Sequence, residues 1–153
     1  MLGTLGCLQI QKVQVERSTP HYLLDHKGDI LAFDVSRHGT HFALLRRNNE
    51  LMVDVYEEKD RKCKHVAGYT FDDKRGTGDV CFYVPMAVQR EIGEILVVAD
   101  YSKNQLLLLD YMSGCGHLET INVNSPVSLA KNPDGRLWLN CKVSGEKSEI
   151  LCF

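Results

Sequence analysis

Short apolar runs cut by Gly, Asn, Asp and Pro clusters recur in one order along this chain, and that recurrence limits its fold more than any single motif. The first unit reads Ala32-Phe33-Asp34-Val35, a turn at Ser36-Arg37-His38-Gly39, His41-Phe42-Ala43-Leu44-Leu45, a turn at Arg46-Arg47-Asn48-Asn49, then Leu51-Met52-Val53-Asp54-Val55. In the second, Met86-Ala87-Val88 leads through a turn ending at Gly93 to Ile95-Leu96-Val97-Val98-Ala99. A turn at Asp100-Tyr101-Ser102-Lys103-Asn104 and the run Leu106-Leu107-Leu108-Leu109-Asp110 complete it. The third runs Val127-Ser128-Leu129, Asn132-Pro133-Asp134-Gly135, Leu137-Trp138-Leu139-Asn140-Cys141, a polar turn through Gly145, and Ile150-Leu151-Cys152-Phe153.

Gly39, Gly93 and Gly135 set the register at intervals of 54 and 42 residues. Tight loops between antiparallel strands favour glycine, which reaches φ > 0 at little steric cost. The intervals approach the period of a β-propeller blade, about 40 to 50 residues. Fourth-strand candidates follow at His65–Phe71 and His117–Val123, alternating polar and apolar as half-exposed outer strands do. Leu51–Asp60 carries β-branched residues at its centre and is read as a strand rather than a helix. The polar stretch Asp72–Asp79 is read as a loop. The expected fold is therefore all-β: one domain over residues 1–153, with about three four-stranded antiparallel blades near 28–71, 80–123 and 125–153. A leftover outer strand is expected over about residues 8–17. Three blades fall short of the roughly four to eight of a closed ring, so the chain is expected to be an incomplete ring or a fragment of a larger propeller. A second copy or another subunit would complete that ring.

Composition narrows the function classes. With 44% hydrophobic and 25% charged residues and a net charge of −2, the chain is neither disordered nor a polyanion seeker by bulk charge. No apolar run approaches the roughly 20 residues that span a bilayer, so no membrane partner is expected. The six cysteines form no metal-type close pair, and they are read as reduced thiols of an intracellular, cytoplasmic protein. No metal or cofactor is expected.

Pro85-Met86-Ala87-Val88 followed by Gly93–Asp100 and Asn104-Gln105-Leu106-Leu107-Leu108-Leu109-Asp110 resembles an NHL repeat, as in the C-terminal region of tripartite-motif proteins. Ser125–Leu129 with Asp134–Leu139 is similar to a closing blade, and a WD-repeat propeller is the second resemblance. The chain departs from the NHL pattern at Gln105, where Arg is usual, and it contains no Trp-Asp dipeptide. The resemblance implies blades used as a docking surface for protein or RNA, without the zinc-binding patterns of ubiquitin ligases.

No nucleophile elbow, phosphate loop or His-Glu-x-x-His occurs, so no catalytic residue is assigned and a non-enzyme is expected. Asp54, Asp100 and Asp110 are read as turn or strand-end residues that bond nearby backbone N–H groups. On the repeat, Arg46, Arg47, Lys103 and Lys142 fall in loops joining second and third strands and would share one face. Asn48, Asn49, Tyr101 and Asn104 would add hydrogen-bonding and stacking groups suited to single-stranded RNA. Arg37, Arg90 and Lys131 would emerge on the opposite face, and Trp138 is expected in the core. The chain is thus expected to be an interaction module that binds a protein or RNA through its loops. The alternative is a WD-type accessory subunit that scaffolds an RNA-modifying enzyme.

Overall fold

A computed structural model describes residues 28–72, 77–85, 93–133 and 135–153. The first sheet comprises β1 (Asp29–Val35), β2 (His41–Arg47), β3 (Leu51–Lys59) and β4 (Lys62–Thr70), hydrogen-bonded in that order. The second comprises β5 (Gly78–Tyr83), β6 (Ile95–Asp100), β7 (Gln105–Asp110) and β8 (Gly116–Asn122), again in order. The third holds β9 (Pro126–Lys131), β10 (Leu137–Lys142) and β11 (Ser148–Cys152). Every neighbouring pair is antiparallel. The protein is all-β, with three sheets of three or four strands that stack as propeller-like blades and do not close into a ring.

Local chemistry explains the turns. Gly39 and Gly135 adopt φ of 70° and 82°, and Gly39 donates to the Ser36 carbonyl at 2.9 Å. The β3–β4 hairpin turns on Asp60 and Arg61 alone, both at positive φ, as a two-residue loop matched to strand twist requires. Asp110 accepts from Met112 N at 3.1 Å and starts the 3₁₀ turn Tyr111–Ser113, which Gly114 ends at φ 80°.

Some expectations change. The strand expected at Met86-Ala87-Val88 and the outer strand expected over 8–17 lie outside the described residues. The strand paired with β6 is β5, which begins at Gly78 inside the stretch expected to be a loop. The third sheet has three strands among the described residues.

Two apolar layers hold the stack. Ala43, Leu45, Val53 and Val55 of the first sheet meet Phe82, Leu96, Val98 and Leu109 of the second. The second sheet's opposite face sends Cys81, Ile95, Val97, Ala99 and Leu106 against Leu137, Leu139 and Cys141 of the third. Strand alternation divides β6 between both layers, which is why all six of its residues are buried. β10 has only one covered face, so Trp138 points away from the core and is 38% exposed, contrary to expectation. The five described cysteines are free thiols, with Cys81, Cys115 and Cys141 buried and Cys152 exposed.

Backbone edges are tied as well. β1, β5 and β9 are edge strands of their sheets, so alternate N–H groups lack ladder partners. Asp34 of β1 accepts from Phe82 N at 2.8 Å, and Asp79 of β5 accepts from Leu129 N at 2.7 Å. Each carboxylate thus fastens one sheet to the next.

Candidate functional site

The residues assigned to a basic face separate on inspection. Arg46 and Arg47 close β2, paired across from Met52 and Leu51, and Lys142 closes β10 opposite Ser148. These three therefore belong to strands, because the β2–β3 turn is confined to Asn48–Glu50 and closes with Asn48 N donating to the Glu50 carbonyl at 3.1 Å. Arg46 Nε donates to Asp54 Oδ2, and His65 Nε2 lies 2.9 Å from Asp54 Oδ1. Asp54 is thus a buried cross-strand partner of two basic side chains rather than a turn residue bonding backbone N–H groups. Gly68 lies opposite Asp54 on β4, where a Cβ would sit in ordinary contact, 3.4 Å from Asp54 Oδ1 and 3.5 Å from His65 Nε2.

Tyr101, Lys103 and Asn104 do lie in the β6–β7 turn. Lys103 Nζ reaches Asp72 Oδ2 at 2.6 Å, and this pairing pulls the Asp72 carboxyl below its usual value. The Asn104 side chain accepts from Ser125 N at 2.8 Å and braces the start of β9. Buried Asp100 accepts from Ser102 Oγ, from Lys103 N and, at 3.3 Å, from Gln105 Nε2. Asn49 is an exposed turn residue.

Concave surface lies on the opposite face, lined by the β1–β2 turn, by Val84 and Pro85 after β5, by Gly93 and Glu94 before β6, and by Lys131–Pro133 and Gly135 between β9 and β10. Two adjoining cavities of about 690 and 740 Å³ share Arg37, Val84 and Glu94. Glu94 is the staple between the first two sheets. Its Oε2 accepts from Arg37 N at 2.7 Å and its Oε1 from the Tyr111 hydroxyl at 3.0 Å. The Tyr111 ring packs edge-on against His41 and Phe82, with centroids 5.3 and 5.0 Å away. Burial, reinforced by the Glu94 bond, pushes the Tyr111 hydroxyl above its ordinary pKa and keeps it a donor. In the second cavity Lys131 crosses between sheets: Nζ donates to Asp34 Oδ2 at 2.8 Å, the Phe82 carbonyl at 3.0 Å and the Val35 carbonyl at 3.4 Å.

Glu94, Tyr111, His41 and Asp34 were not legible as site residues, since no motif marks them. Of Arg37, Arg90 and Lys131, which the repeat placed on this face, Arg37 and Lys131 line the groove, and Arg90 lies outside the described residues. Among the described residues no group of three or more His, Cys, Asp or Glu converges as a metal site would require. No described helix is long and apolar enough to cross a membrane.

Fold and groove together define an open stack of propeller-like blades with a cleft on one loop face. No family model matches the chain, and no curated protein matches it significantly.

Proposed function

We propose that this chain is a non-catalytic interaction module that holds a protein partner in the groove lined by Arg37, Val84, Glu94, Tyr111 and Lys131. The supporting observation is that all three sheets contribute to one concave surface whose walls are locked by Glu94, Tyr111 and Lys131. A preorganised cleft binds an extended segment without the cost of ordering its own loops. The NHL-like repeat points to the same use of the fold. A protein is favoured over RNA because Arg46 and Lys103 of the other face are already engaged by Asp54 and Asp72.

Panning a random peptide library on the chain tests this reading. Selected peptides should lose at least tenfold in affinity with Arg37→Ala or Met112→Ala, both exposed at the groove. Failure to select any peptide, or affinities indifferent to both changes, refutes it. A single-stranded oligonucleotide whose binding falls steeply with salt and is lost in Lys103→Ala would instead establish the nucleic-acid reading.

A further inference from the structure

The charged groups of the groove are unequally engaged. Glu94 commits both carboxylate oxygens inside the fold, Oε2 to Arg37 N and Oε1 to the Tyr111 hydroxyl. Lys131 Nζ meets Asp34 Oδ2 and the main-chain carbonyls of Phe82 and Val35. Asp110 holds Met112 N through Oδ1. Arg37 differs: it is exposed, and among the described residues no carboxylate or carbonyl engages its guanidinium. Its bond to Glu94 comes from the main-chain N, which fixes the backbone and leaves the planar head to the groove.

Arg37 borders both cavities, so an occupant that fills the groove passes it near its middle. Apolar groups lie to either side. In the first cavity Met112 is 70% exposed and Leu118 46% exposed. In the second, Pro85 and Pro133 supply rigid apolar surface. A guanidinium between apolar walls suits a carboxylate, because its fork takes both oxygens at once and displaced water strengthens the pair.

We propose that the occupant of this groove is an extended segment of a partner protein that sets one internal Glu or Asp side chain on Arg37 and an apolar side chain two residues to each side. The spacing follows from strand geometry, in which alternate side chains share a face about 7 Å apart. An internal acidic side chain is favoured over a chain-terminal carboxylate, which on Arg37 would leave one of the two cavities empty. Glu94 and Asp110 repel further anions, so a single carboxylate is expected rather than an acidic run. The inference rests on the groove being the docking site and adds the chemistry of what it holds.

Peptides panned on the full chain, then measured by fluorescence anisotropy, give the test. They should be enriched in an acidic residue with apolar residues two positions before and after it. Exchanging that acid for Gln or Lys should weaken binding to the wild-type chain at least tenfold. Arg37→Glu should lose the acidic peptide and bind its Lys counterpart at least tenfold better than the wild-type chain does, with circular dichroism unchanged. Lys142→Glu, away from the groove, should bind as wild type. Peptides that depend on Met112 but carry no acid, tolerate its exchange, or respond equally to Lys142→Glu overturn the inference and leave the docking reading standing. Failure to select any peptide overturns both.

Discussion

Asp34 is the residue on which the stacking of the sheets can be tested most sharply, because one of its oxygens serves three sheets. Oδ2 accepts from Phe82 N of β5 and from Lys131 Nζ of β9, both at 2.8 Å, while Asp34 itself sits on β1. Phe82 is fully buried and its N–H faces the sheet edge, where none of the described strands pairs with it. Asp34→Ala leaves that N–H without an acceptor, at a cost of about 1–3 kcal/mol. The Lys131 ion pair adds little, since the lysine side chain is 36% exposed, and screening limits such a pair to about 0.2–1 kcal/mol. The total is about 1–4 kcal/mol. With a urea slope of about 2 kcal/mol per molar, the unfolding midpoint should fall by roughly 0.5–2 M. Asp34→Asn keeps an acceptor oxygen and removes only the charge, so it should cost no more than about 1 kcal/mol, as should Lys131→Met. Urea unfolding followed by circular dichroism measures all three. If Asp34→Ala falls within about 0.5 kcal/mol of wild type, or Asp34→Asn is as damaging as Asp34→Ala, the N–H tie between sheets does not have the role assigned to it.

Two further outcomes follow from packing. Burial raises the Cys81 thiol to about 12 and the Cys115 thiol to about 11. At pH 8 the reactive thiolate is then roughly one molecule in ten thousand at Cys81 and one in a thousand at Cys115. Iodoacetamide followed by peptide mass spectrometry should modify exposed Cys152 in the native protein and spare those two until denaturant is added; native labelling of Cys81 would contradict the two-layer core. A Cβ on Gly78 would overlap the Ala99 carbonyl oxygen, so Gly78→Ala should disrupt the β5–β6 pairing and destabilise by more than about 2 kcal/mol. In Gly116→Ala the new Cβ is tight only on the rotatable Ser113 Oγ at 3.3 Å, with the Ser113 carbonyl oxygen at an ordinary 3.9 Å, and the variant should melt much closer to wild type.

Periodicity made most of the strands legible. β2, β3, β6, β7 and β10 stand where apolar runs bounded by turn residues placed them, because both signals are local and survive in any packing. β5 was missed, since Gly78 and Asp79 read as loop chemistry. It is a strand because Gly78 admits the close approach of Ala99 and Asp79 spends its carboxylate on the neighbouring sheet. Charge placement was the least legible property. Arg46, Lys103 and Asp54 looked like independent turn residues; strand register brings Asp54 within reach of Arg46, and the stacking of the first sheet on the second brings Asp72 within reach of Lys103.

The candidate groove illustrates the same limit. Its main contacts join residues 57 positions apart at Arg37 and Glu94, 17 at Glu94 and Tyr111, and 97 at Asp34 and Lys131. No window of sequence contains such pairs. The strand grammar and the count of three blades follow from the amino-acid order alone, because alternation and turn propensity act between near neighbours. Which faces are covered is a tertiary matter: β6 lies buried between two sheets while β10, built on similar grammar, exposes Trp138, because burial depends on whether another sheet stands opposite.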